Sequence, residues 1–254
     1  MHKYFTSSII ILLISASFVG CKKSILSDET GDFEAKNVRI KIFSYWNDYL
    51  YSKDSLYIIN GAALKIDDIS ILHSDYYFVN DGDTLPTSEP TEWKLSVGGD
   101  VQLGYLDEGS YSGFYRFKVG LAPDVNAKAP KDFPASSPLS DQSLYRGPGN
   151  GYNFVTITGR IQNPNKPFSE PDIPLKWVFA TDTFAIQHGQ AQSFNVVTGK
   201  EVTFNVILDI AKLFDGIFPS VTPIIKCDPS KPNDFNAAQI LQQNFKNEAY
   251  KLQL

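Results

Sequence analysis

The chain has 254 residues, 43% of them hydrophobic, with 23 basic and 28 acidic side chains and a net charge of −5. That balance argues against nucleic acid as a partner and leaves no polybasic surface for anionic lipid. The length suits one large β-domain or two small ones, and 18 Phe with 13 Tyr suit an aromatic-filled core.

The first twenty residues are expected to lie outside the fold. Lys3 supplies a positive start, residues 9–14 (IIILLI) form an apolar run, and small residues lead to Gly20 and Cys21. The run is too short to span a bilayer, so residues 1–20 read as an export signal. Phe18-Val19-Gly20-Cys21 resembles the lipobox of bacterial lipoproteins, which implies that Cys21 becomes the lipidated first residue. The mature chain then carries 22 basic against 28 acidic residues, a net charge of −6. With Cys21 lipidated only Cys227 remains, so no disulfide framework exists and stability must come from the core. Residues 21–36 read as lipidated cysteine and tether. Lys22-Lys23-Ser24 stands where surface-displayed lipoproteins carry an acidic run, which favours an outer-membrane anchor facing the periplasm.

Period-2 patterning begins at Asn37: Val38, Ile40 and Ile42 alternate with Arg39, Lys41 and Phe43, as in a half-buried antiparallel strand. Further strands are expected at 55–59, 63–66, 69–79, 92–95 and 113–119. Asn80-Asp81-Gly82-Asp83 reads as a hairpin turn, because a calcium loop would need a following ligand series. Residues 122–143 hold Pro123, Pro130, Pro134 and Pro138 and little periodicity. A loop of that length in a compact domain is usually functional or disordered. It runs into 144–161 (LYRGPGNGYNFVTITGRI), a glycine-rich turn delivered directly by a strand. There Tyr152, Phe154, Thr156 and Thr158 share one face, and Val155 and Ile157 the other. Short strands are expected at 175–179 and 184–187 and a clean one at 201–209. One helical turn at 210–215 is stopped by Gly216. Asn236 is the expected N-cap of a closing helix over 236–250, with Ile240, Leu241 and Phe245 inward. The whole predicts an all-β fold over 37–254: a single antiparallel β-sandwich of about seven to ten strands with a short C-terminal helix.

Catalytic constellations are lacking. The mature chain has two histidines, His73 in a strand and His188 in a Gln187-His188-Gly189-Gln190 stretch that reads as a surface turn. No GxSxG, HExxH or phosphate loop occurs, so no enzymatic activity is expected. The candidate binding loop is Tyr145, Arg146, Asn150, Gly151 and Tyr152. His73, His188 and Cys227 are the weak candidates for a metal, and their convergence would favour one.

Four pieces together resemble the MbnP-like copper-binding domain family of bacterial periplasmic proteins and lipoproteins. They are a strand ending in Ser74-Asp75 before a turn, YRFKVG (115–120) followed by Asn126, the segment LYRGPGNGYNFVTITG, and NVILDIAKLFDG (205–216). The resemblance implies the sandwich fold and, in the family, copper bound beside an oxidisable tryptophan. This chain has Arg146 at that tryptophan and Pro148 at the second aromatic position. It has no histidine in 176–180, and Ala122 replaces a usual acid. The expectation is therefore a cell-envelope lipoprotein, membrane-held through its lipid, that keeps the scaffold, has lost the copper site, and binds an envelope protein partner as an accessory. Copper binding through other ligands is one alternative. Glycan binding through Trp46, Trp93 and Tyr145 is the other.

Overall fold

In the computed structural model the chain divides into two units, 1–34 and 35–254, and the structure describes residues 38–80, 83–86, 89–166 and 170–253. The expected signal, Cys21 and the tether lie outside the described residues.

In chain order the strands begin with β1 (Val38–Trp46), β2 (Tyr49–Leu50), β3 (Tyr57–Ile59), β4 (Ala62–Asn80), β5 (Asp83–Pro86), β6 (Thr91–Lys94), β7 (Asp100–Gly104) and β8 (Gly109–Val119). The short helix α1 (Pro123–Asn126) follows, then β9 (Asn153–Ile161), β10 (Ile173–Ala180), β11 (Ile186–Val196), β12 (Val202–Asp209) and β13 (Ile224–Ile225). Helix α2 (Pro232–Asn244) and β14 (Tyr250–Gln253) end the chain. One sheet runs β14-β12-β1-β2 with β7 also on β1. The other runs β11-β8-β4-β9-β10-β13, with β3, β5 and β6 along β4. The expected all-β sandwich with a C-terminal helix is what the chain forms. Its pairings are antiparallel except β1 with β12 and β10 with β13, which run parallel.

The two inner faces meet through aromatic rings. Tyr115 of β8 stacks on Phe204 of β12 at 4.4 Å between centroids, and Phe194 of β11 meets Phe204 edge-on at 5.3 Å. Below them Phe214 of the turn after β12 packs on both Trp177 and Trp46. Ring burial on this scale supplies the driving force that disulfides supply in small exported domains.

Several expectations change. Residues 63–66 and 69–79 are one strand, because bulges between Ile66 and Asp68 and between Ser74 and Tyr77 bend β4 without breaking it. Ser74-Asp75 therefore sits inside β4, with Asp75 at φ 51, and not before a turn. Asn80 pairs with Asp83, the register of a two-residue hairpin. The stretch 187–190, expected as a surface turn, belongs to the 11-residue β11, where Ile186, His188, Gln190, Gln192 and Phe194 alternate inward. Polar residues disguised that alternation. Helix α2 starts four residues before Asn236. Lys231 is its N-cap, and Pro232, whose φ is preset, occupies its first turn. Ile240 is exposed while Leu241 and Phe245 are buried. Five residues of π-helix follow, and Tyr250 opens β14, which pairs with β12.

Candidate functional site

The proline-rich segment is built, not loose. Proline stands at the first turn of α1 and of the 3-10 turns Pro130–Asp132 and Pro138–Ser140. Leu121, Leu139 and Leu144 are buried beneath them. On β9, Val155 and Ile157 face the sandwich core, so Tyr152 and Phe154 fall on the outer face, as the alternation predicts. Both are buried there. Phe154 lies against Gly120, where a Cβ would stand 2.7 Å from its ring. The Tyr152 hydroxyl donates to the Leu139 carbonyl at 2.9 Å, and Phe133 meets its ring edge-on. Burial, with Tyr145 and Asp132 adding, pushes the Tyr152 hydroxyl up to about 12, so it stays a neutral donor. Segment 120–145 thus roofs one end of the outer face.

The hairpin rises from this roof. Tyr145 bridges Tyr152, the Arg146 N–H donates to the Gly151 carbonyl at 2.8 Å, and the Asn153 N–H to Leu144 at 2.8 Å. Gly151 sits at φ 62 directly against the Asn126 carboxamide, so any Cβ would overlap it. Asn126 is buried. Its Oδ1 accepts the Tyr152 N–H at 2.8 Å and its Nδ2 donates to Asp182 at 2.8 Å. Pro148, Gly149 and Asn150 form the exposed tip. The Arg146 guanidinium folds back: Nη2 donates to the carbonyls of Lys226 at 2.9 Å and Cys227 at 3.3 Å. Among the candidate loop residues, then, Gly151 and Tyr152 are structural, and Tyr145, Arg146 and Asn150 remain available at the surface.

His73 and His188 lie elsewhere, on the inner face. They stand on β4 and β11, with β8 between them. The Phe117 ring stacks on His188 at 5.2 Å and lies 6.0 Å from His73, while Tyr250 contacts both at 5.3 and 5.9 Å. His73 Nε2 and the Tyr250 hydroxyl share a 2.7 Å hydrogen bond. His73 Nδ1, His188 Nε2 and the Tyr115 hydroxyl are buried without partners. Burial, with His188 adding, depresses His73 to about 3. Burial, with Lys246 adding, depresses His188 to about 4. Both rings are therefore neutral at physiological pH. Cys227 does not join them. Its thiol donates to the Ala180 carbonyl at 3.3 Å, beneath the Arg146 side of the molecule, and burial pushes its pKa up. Two of the three metal candidates share one aromatic cluster. Among the described residues no group of three His, Cys, Asp or Glu could hold a metal ion.

The hairpin offers no soft donor to a copper ion. The Arg146 guanidinium is already committed to two carbonyls, and Pro148 offers no donor. Trp46 and Trp93 are 9% and 4% exposed, which removes them as platforms for sugar rings. Only the half-buried Tyr145 of that trio reaches the surface. Sequence reasoning named Asn126 in a motif but missed its role. It placed Tyr115 in a motif without its core role, and missed Lys176, Lys226 and Tyr250, for which no local pattern gave a signal.

The fold and hairpin define a two-sheet β-sandwich with a roofed glycine loop and a closing helix and strand. Neither a family model nor a curated protein sequence matches the chain. Among solved structures it is similar to MbnP from Methylosinus trichosporium, with a TM-score of 0.47 and 17% identity over 72% of this chain and 78% of that one. The likeness is a distant one, of fold.

Proposed function

We propose that the chain is a lipoprotein of the bacterial cell envelope, anchored through Cys21 in the outer membrane and facing the periplasm. In this reading it has a non-enzymatic binding or accessory role, presents the 122–151 face to a partner, and has lost an ancestral copper site. One observation carries it: the hairpin is locked from below, by Gly151 on Asn126 and Tyr152 on Leu139, while its tip stays exposed. A loop held rigid at its base with an open tip is built to present a surface. The metal-loss part is supported by Arg146 and Pro148 in the family's metal-associated positions. The non-enzymatic part is supported by the seclusion of both histidines in the core.

Two measurements test it. A Cys21→Ala variant should leave the membrane fraction, and retention after a high-salt wash would end the anchor reading. A photoreactive residue at position 150 should capture a discrete envelope partner in cells, whereas one at the exposed Lys200 should not. Equal capture from both positions would remove the 122–151 face from the proposal.

A second reading, copper binding by other ligands, is favoured by the unpartnered His73 Nδ1 and His188 Nε2 in one aromatic cluster. Both would have to swing past Phe117, which contacts each of them.

A further inference from the structure

A cleft of about 360 Å³ opens where Tyr145 and Arg146 of the hairpin meet β10 and β13, lined also by Asn153, Lys176 and Lys226. Lys176 pairs with Ile224 across the parallel β10–β13 ladder. Lys226 follows β13 directly and lines the same cleft as Lys176. Trp177 and Ile225, the intervening residues, are fully buried. Both lysines are thus on the outer, solvent face, and both are exposed. Three cations line one cleft in a chain whose net charge is −5.

Neither Arg146, Lys176 nor Lys226 forms an ion pair among the described residues, although seven other lysines and arginines do. The nearby acids are engaged by the 226–231 turn, although the Asp228 carboxylate also feels the Arg146 charge. Asp234 accepts the N–H groups of Lys226 and Asp228, and Asp228 accepts the N–H and hydroxyl of Ser230. Arg146 is held in place by its Nη2 bonds to Lys226 and Cys227, while its Nη1 is buried without an acceptor. A positioned guanidinium charge, flanked by two ammonium groups outside any ion pair, matches an oxyanion.

We propose that this cleft binds an oxyanion, a carboxylate or a phosphate, with Arg146 as a fixed positive charge and the exposed Lys176 and Lys226 as its donors. The inference rests on the reading of 122–151 as a binding face and names the chemistry that face accepts. The oxyanion belongs either to a free solute or to a lipid headgroup.

The full chain carrying Cys21→Ala, free of acyl-driven membrane binding, is titrated calorimetrically with inorganic phosphate and with citrate. It is also sedimented with phosphatidylcholine vesicles with and without phosphatidylglycerol. Saturable binding of either solute is expected, weakened at least about tenfold in Lys176→Gln/Lys226→Gln. That double variant keeps every backbone bond of the cleft and should melt at the parental temperature. Sedimentation only with phosphatidylglycerol, lost in the double variant, assigns the oxyanion to a headgroup. Solute binding without sedimentation assigns it to a free solute. No saturable heat together with no sedimentation, or equal affinity in the double variant, overturns the proposal. If capture from position 150 persists in that case, the binding face stands and only its anionic chemistry falls.

Discussion

Gly151 and Asn126 form a lock: the left-handed backbone of the glycine lies flat against a buried carboxamide whose oxygen takes the next residue's N–H. The contact joins the C-terminal end of α1 to the mouth of β9, across the 24 intervening residues of proline-rich chain. It is the point at which a long connection becomes a rigid surface.

Replacing Gly151 by Ala or Val should destabilise the protein by about 2–4 kcal/mol, from left-handed strain plus overlap with Asn126. Gly149, at φ 76 with nothing within 4 Å of its Cβ position, is the control. Gly149→Ala should cost only about 1 kcal/mol of strain. Urea unfolding of both variants checks it, and equal losses would show that the contact with Asn126 is not what makes Gly151 necessary.

Asn126→Ala should orphan the Tyr152 N–H and remove a donor from Asp182. The expected loss is about 1–3 kcal/mol, the cost of a buried group left without its partner. Hydrogen exchange at the Tyr152 amide should accelerate more than at the amides of β12. Uniform acceleration across the chain would place Asn126 in global stability only.

Acid should weaken the fold through the two core histidines. Their folded-state values, about 3 and about 4, lie below the unfolded value of 6.5. The unfolded chain therefore binds protons that the folded chain refuses as pH drops below 6.5. The stabilisation is full above pH 6.5 and is lost progressively toward pH 4 and then 3. Between pH 7 and pH 5 the loss should be on the order of 2 kcal/mol per histidine. Chemical unfolding at the two pH values measures it, and His73→Phe should flatten the profile. A profile unchanged by that substitution would remove His73 as its cause.

Copper should find no stoichiometric site. On the proposed reading, in which residues 1–20 are removed and Cys21 carries lipid, the soft donors left are His73, His188 and Cys227, and Cys227 is tied to Ala180 away from the other two. Titration of the purified chain with Cu(I) against a competing chelator should resemble weak, scattered binding. A site that survives sub-micromolar competition and vanishes in His73→Ala or His188→Ala would reinstate copper binding.

Local pattern carried much of the architecture. The alternation at 38–43, 152–158 and 202–208 reports strands because side chains in a strand point alternately to the two faces, whatever lies across the sandwich. Gly151 and Gly216 were legible for a similar reason: a left-handed backbone asks for glycine before any partner is known. His188 was misread because Gln190 and Gln192 share its inward face, so hydrophobicity gave no period. The start of α2 was missed because Lys231-Pro232 carries no side-chain cap.

By itself, then, the sequence determined an all-β chain with a glycine hairpin on a strand, since torsional preference and period-2 patterning act between neighbours. The tertiary structure alone decided which side chains meet. It seated Asn126 beneath Gly151, closed Tyr250 onto His73, and turned Arg146 onto the carbonyls of Lys226 and Cys227. It also gathered Arg146, Lys176 and Lys226 around one cleft from three distant segments. Those relationships depend on strand order and register between remote segments, which packing across the two sheets selects and no local pattern encodes.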